Sequence, residues 1–202
     1  MTIADDNDFS AMKYYISRVD SVMASNYLFN NDSKFSFSLE SEYFRTNYRG
    51  EVDRSDTASL QVLFGNKKLI ESEVLDSAKE DGNSPPDDFI IPALWNDSCS
   101  YFFYPNDTGA GDLSIGFEFE NIYKNGLVSG LITFNRNSYL IKTLILYYID
   151  TGNTDHMSKV FKFIEQNTRP VLNEVEIHWK KGTLLGREYY LIRYRLFDYE
   201  LH

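Results

Sequence analysis

Three histidines and one cysteine are the residues of this 202-residue chain best suited to metal or nucleophilic chemistry. His156, His178 and His202 show no close ligand spacing, and a single Cys99 can neither anchor a Cys-rich zinc site nor form an intramolecular disulfide. His178 alternates with apolar neighbours, which puts it on the polar face of a strand. No Gly-x-Ser-x-Gly elbow occurs, and Cys99 lies in Asn-Asp-Ser-Cys-Ser with no nearby histidine to activate it. Thr108-Gly109-Ala110-Gly111-Asp112 lacks the third glycine and the lysine of a phosphate cradle, and Asp112 would repel phosphate, so it reads as a turn. Asp150 to Asp155 offers oxygen ligands without the spacing or closing glutamate of a calcium loop. Three Asn-x-Ser/Thr triplets, at Asn31, Asn96 and Asn106, match the glycosylation acceptor pattern. Thirty acidic residues could pair in space, yet no spacing selects two of them as a glycosidase would need. The expectation is a protein without catalytic residues, metal or cofactor.

The same acids, against 20 Lys and Arg, give a net charge of −10, which argues against a general nucleic-acid binder and against docking to anionic lipid by charge. No run of about 18 apolar residues exists, so no transmembrane helix is expected. The first residues are acidic and polar, unlike a secretory leader. Two settings follow: a mature periplasmic or envelope domain whose leader is gone, or a cytoplasmic protein if Met1 is native. A chain of this length buries roughly 70% of its unfolded surface, enough for a core, and its 15 Phe and 15 Tyr are available to fill one.

The elements follow from the periods. After an acidic lead, Phe9, Met12, Ile16, Val19 and Met23 form one helical stripe, expected over about residues 8 to 25. From Lys34 the period becomes 2: Phe35, Phe37 and Leu39 alternate with polar residues, and Leu60, Val62 and Phe64 repeat the pattern before a Gly65-Asn66 turn, with residues 70–74 returning as partner. Further strands are expected at 100–104, 113–121, 127–134, 139–150, 159–165, 173–180 and 184–199. Short gaps holding turn residues make these antiparallel hairpins in a meander. Residues 76–99 interrupt it: Pro85, Pro86 and Pro92 bar a central strand, and Phe89, Ile91, Leu94 and Trp95 need a place to pack. This segment is either a loop over the core edge or a lid. No repeat or linker divides residues 1–202, so one domain is expected.

The helix at Phe9 to Met23 leading into Phe35-Ser36-Phe37-Ser38-Leu39, the Tyr101-Phe102-Phe103-Tyr104-Pro105 strand, and Gly130-Leu131-Ile132-Thr133-Phe134 followed by Tyr139-Leu140-Ile141 together resemble the LolA-like superfamily of bacterial outer-membrane lipoprotein carriers. The resemblance implies a non-enzymatic envelope protein that shields an acyl chain or lipoprotein, with an envelope protein as a further partner. In that family an arginine holds the lid closed. Arg45, Arg49 and Arg54 lie in the corresponding part of this chain, without a local motif that assigns the role.

The expected fold is α+β, an N-terminal helix packed on a strongly curved antiparallel meander sheet of eight to ten strands, a half-barrel; a closed lipocalin-like barrel is the alternative. The apolar cavity would be lined by Phe35, Phe37, Leu39, Leu60, Val62, Phe64, Phe117, Phe119, Ile132 and Phe134, with Phe89, Ile91, Leu94 and Trp95 as lid. Each lipid CH₂ kept from water is worth about 0.8 kcal/mol, so a travelling acyl chain needs a cavity rather than a patch. The alternative function is a protein–protein interaction module with a filled core. A carboxylate hydrolase on the concave face is a third reading, weakened by the apolar character of the inward positions.

Overall fold

A computed structural model describes residues 6–30, 32–66, 68–77, 89, 91, 94, 99–104, 111–119, 127–149, 155–183 and 186–202. The helical stripe produces α1, Asp6–Asn26, and a single 3-10 turn, Leu28–Asn30, follows it. The alternating segments produce ten strands: β1 Phe35–Thr46, β2 Val52–Gly65, β3 Lys68–Ser77, β4 Cys99–Tyr104, β5 Asp112–Phe119, β6 Leu127–Asn135, β7 Ile141–Ile149, β8 His156–Gln166, β9 Arg169–Thr183 and β10 Gly186–Leu201. All pair antiparallel in one sheet of order β3-β2-β1-β10-β9-β8-β7-β6-β5-β4. The sheet is an open, curved half-barrel with α1 against it. Its edges are β3 and β4, and no pairing joins them among the described residues.

The meander is present from β4 to β10, after which the chain's last strand pairs with its first: Leu39 faces Leu196 and Tyr43 faces Ile192. This closure changes the meaning of the Pro-rich segment. Because β3 and β4 lie at opposite edges, the chain between them passes from one edge of the sheet to the other, and its described residues Phe89, Ile91 and Leu94 are buried.

Alternation fixes which side chains face the helix. Met12, Ile16, Val19 and Met23 are buried as the spacing predicts, whereas Phe9 is 43% exposed, so the apolar stripe makes its seal from the second helical turn onward. Two glycines allow close approach within the sheet. Gly130 faces Phe117 across the β5–β6 pair, and a Cβ there would lie 2.2 Å from the Phe117 ring and 2.7 Å from the Ile145 carbonyl oxygen. Gly116 bears the same relation to Phe102, a Cβ standing 2.3 Å from that ring. Rings laid over cross-strand glycines are a means by which curved sheets hold their register.

Candidate functional site

The helix-facing side of the sheet carries the residues expected to line a cavity. Phe35, Phe37 and Leu39 of β1 and Leu60, Val62 and Phe64 of β2 are buried, as are Phe117 of β5 and Ile132 and Phe134 of β6. The side chains of Phe119 and Trp95 lie outside the described residues. The two groups stand at different ends of the sheet order, separated by β10, β9, β8 and β7. They belong to one apolar cluster because Leu144, Leu146, Phe161, Phe163, Leu172, Val175 and Leu196 from the intervening strands bridge them. All of these but Leu172 lie inside the strands expected from the sequence, and their period-2 alternation is the signal that assigns them to this face.

Phe29, from the short turn after α1, sits at the centre of the β1–β2 group. Its ring centroid is 5.0 Å from Phe35, 5.4 Å from Phe37, 4.9 Å from Phe64 and 5.1 Å from Phe89. Distances of this size are those of favourable edge-to-face and tilted pairs. In the sequence Tyr27, Leu28 and Phe29 fall between a helical and a strand period and match neither.

The buried residues of the crossing segment are fastened to the helical side. The Tyr27 hydroxyl donates to the Phe89 carbonyl at 2.6 Å, the Asn30 side chain both donates to the Ile91 carbonyl at 2.7 Å and accepts from the Ile91 N–H at 3.0 Å, and Asp20 accepts from the Leu94 N–H at 2.8 Å. Backbone groups that cannot join the sheet are satisfied in this way, as burial demands. Hydrogen bonds also tie this assembly to the sheet and its β6–β7 turn: Tyr101 of β4 donates to the Leu94 carbonyl at 2.9 Å, Arg136 after β6 donates to the Tyr15 hydroxyl at 3.1 Å, and the Tyr14 and Tyr139 hydroxyls meet at 3.4 Å. Arg18 lies 5.3 Å from the centre of the Tyr139 ring in the same turn region. Burial pushes the Tyr27 phenol well above its usual range, with the nearby Tyr199 adding to the effect, and burial does the same to Tyr199. At the seam between the end of α1 and the sheet lies a cleft of about 370 Å³ that includes Asn26, Leu28, Gln166 and Tyr199. The Tyr199 ring continues inward to Phe35 and Phe37, at 6.2 and 5.6 Å.

Arg45, Arg49 and Arg54 each have a partner on the sheet or in the β1–β2 turn. Arg45 pairs with Glu188 at 3.3 Å and lies over the Tyr190 ring, Arg54 pairs with Asp56, and Arg49 lies over Tyr48. Among the described residues there is no group of three or more His, Cys, Asp or Glu arranged to hold a metal ion.

No protein-family model matches the chain, and no curated protein does. Its fold is similar to that of a domain assigned to an outer membrane lipoprotein-sorting protein from Vibrio parahaemolyticus, with 8% identity, 94% of this chain and 93% of that one covered, and a TM-score of 0.47. It is also similar to a DUF1329 family protein from Desulfovibrio piger, with 8% identity, 95% and 92% covered, and a TM-score of 0.44. These likenesses concern the path of the chain alone.

Proposed function

We propose that this chain is a non-enzymatic protein of the bacterial envelope that holds an acyl chain, free or on a lipoprotein, between the apolar face of the half-barrel and its cover. The observation that carries the reading is the construction of the cover: α1, the turn at Phe29 and the residues Phe89, Ile91 and Leu94 are knit to one another by hydrogen bonds and present apolar side chains to the sheet. Such a unit can lift as one piece, because the hydrogen bonds within it are kept while its ties to Tyr101, Arg136 and Tyr139 are released and its apolar contacts are exchanged for those of a ligand. The cleft beside Tyr199 is the place where a chain would enter. Phe35, Phe37, Leu39, Leu60, Val62, Phe64, Phe117, Phe119, Ile132 and Phe134 would then line the bound chain, with Phe89, Ile91, Leu94 and Trp95 above it.

A second reading, an interaction module with a filled core, is favoured by the close ring packing around Phe29. Native mass spectrometry of the purified protein with palmitate and with a synthetic triacylated lipopeptide separates the two. The carrier predicts one-to-one adducts that Ile132→Trp weakens by filling the interior while leaving the circular dichroism spectrum intact. Absence of any adduct with either probe would sink the carrier and leave the interaction module.

A further inference from the structure

The face of the sheet turned away from α1 holds a cavity of its own, about 680 Å³. Twelve of its lining residues project to this face by strand alternation, and they come from two adjacent cross-strand rungs. One rung runs Ile149, His156, Lys180, Tyr189, Thr46, Val52; the next runs Ser129, Tyr147, Ser158, His178, Leu191, Phe44. The cavity is therefore two rungs wide and seven strands long, from β2 to β6. Six strand-to-strand steps make about 29 Å along a flat sheet, while two rungs span only about 7 Å. This is the shape of a trough for an extended chain rather than of a pocket for a compact sugar or nucleotide.

Its chemistry is ordered along that length. Tyr189, Leu191, Phe44 and Val52 form an apolar stretch over β10, β1 and β2, and Tyr147 with Ile149 forms another over β7. Between them, on β8 and β9, stand Lys180, His156, His178 and Ser158. Among the described residues no lining residue is a carboxylate, in a chain that carries 30 of them and a net charge of −10. Glu176, two residues from His178 on β9, is engaged by Lys162 at 3.4 Å, Arg193 at 3.1 Å and His178 at 3.2 Å. Lys180, by contrast, holds its ammonium 5.4 Å from the centre of the Tyr189 ring, at the border of the apolar stretch. Tyr147, Tyr189 and Val52 are among the large apolar side chains that the protein leaves exposed. Exposed apolar surface bordered by polar groups marks a binding surface.

We propose that this trough is a binding site for an anionic amphiphile. Its chain lies across the strands along Tyr189, Leu191, Phe44 and Val52, and its carboxylate or phosphate head is held by Lys180 with hydrogen bonds from His156 or Ser158. The site is separate from the helix-facing interior, since the twelve side chains of its two rungs project to the opposite surface of the same strands, while its other lining residues, Tyr148, Met157, Trp179 and Tyr190, form the rung between them, whose side chains alternate to the α1 side.

Isothermal titration of the full chain with three probes tests this: palmitate below its micellar concentration, short-chain phosphatidic acid, and inorganic phosphate. A dodecyltrimethylammonium arm controls for head-group charge. The expected result is saturable binding of at least one anionic amphiphile, weakened about tenfold by Lys180→Glu, which removes an attractive charge contact and adds a repulsive one. Leu191→Asp is expected to weaken it similarly, and in Ile132→Trp, where the interior is filled, the binding that remains is expected to keep its full sensitivity to Lys180→Glu. Which of the two amphiphiles binds identifies the head group. Binding of inorganic phosphate as tight as that of the amphiphiles, equal binding of the cationic amphiphile, or indifference to Lys180→Glu would each overturn the proposal. Binding lost in Ile132→Trp but kept in Lys180→Glu would overturn it while supporting the interior carrier site, so the two readings fail separately.

Discussion

Strand β9 presents two different surfaces from one run of residues. Toward α1 it offers Val175, Ile177 and Trp179; away from α1 it offers Glu174, Glu176, His178 and Lys180. The helix-facing side is organised by burial and fades along the strand, from a fully buried Val175 to a Trp179 that is 40% exposed. The opposite side is organised by charge in its middle and by apolar rings at its end. Lys162 and Arg195 flank Glu174 at 2.5 and 3.6 Å, and Arg193 bridges Glu176 and Glu42 at 3.1 and 3.0 Å. Opposite charges placed on directly facing strands support the register without needing a dry environment. The comparison teaches that the helix side supplies the cohesion of this fold, whereas the far side holds register and leaves its end free for a ligand.

The largest expected effect breaks that division if it is wrong. Phe29→Ala removes the ring around which Phe35, Phe37, Phe64 and Phe89 close, and a truncation of this kind in a packed core costs about 3–5 kcal/mol. Tyr147→Ala removes a ring of similar size from the trough, where 46% of the residue is already in water, and should cost about 0.5 kcal/mol or little more. Urea denaturation of the two variants compares them directly. Equal losses would mean that the trough is a structural core, and the far side could then no longer be described as free for a ligand.

A smaller effect probes how the curved sheet holds its two faces apart. Gly130→Ala sets a methyl group against the Phe117 ring and also against the Ile145 carbonyl oxygen, which belongs to backbone and cannot rotate away. Overpacking of this kind costs about 1–3 kcal/mol. Phe117→Leu in the same chain makes room for the methyl group, so the double variant should recover part of the loss measured by thermal unfolding. A double variant no more stable than Gly130→Ala alone would show that the ring-on-glycine contact is not what sets the cost.

Much of this was legible in sequence because period alone carries it. The 3.6-residue stripe located α1, and alternation located the strands and placed Phe35, Phe37, Leu39, Leu60, Val62 and Phe64 on one face. The β1–β10 pairing was not legible, since no local pattern says that Leu39 will meet a residue more than 150 positions away. Nor was the β8–β9 turn: Asn167 and Thr168 adopt φ of 51° and 61° without the glycine that usually announces such a hairpin, so alternation alone stops the first strand at 165 and starts the second only at 173, whereas they run to Gln166 and from Arg169. The role of Phe29 was hidden in three residues that matched neither period. The trough escaped notice because its members fall in the polar half of each alternation. His178 taken alone reads as a solvated side chain, and only the registers of seven strands bring it beside Lys180, Leu191 and Tyr147.

The smallest effect distinguishes the faces by pH. Partial burial opposes ionisation of Glu176, but hydrogen bonds from His178, Arg193 and Lys162 outweigh it and hold the carboxyl down to about 2, below its ordinary 4.5. A depressed carboxyl contributes stability that is fully present above its unfolded value and is lost as pH falls from about 4.5 toward 2. On the helix side the relevant groups are Tyr27 and Tyr199, whose phenols burial raises above 10.0. Their contribution is complete below pH 10.0, and it is lost as the pH rises beyond that, because the unfolded chain can ionise where the folded one cannot. The charged face therefore weakens in acid and the apolar face in alkali. Glu176→Gln should flatten the acid limb of a stability profile and leave the alkaline limb as it was, while Tyr199→Phe should do the reverse. Because Glu176 lies near the surface, its share is modest and shrinks with added salt, whereas the tyrosine effect arises from burial and should persist at high ionic strength. An acid limb that kept its slope in Glu176→Gln would place the titrating groups elsewhere and remove the charged ladder from the account of how the far side holds its register.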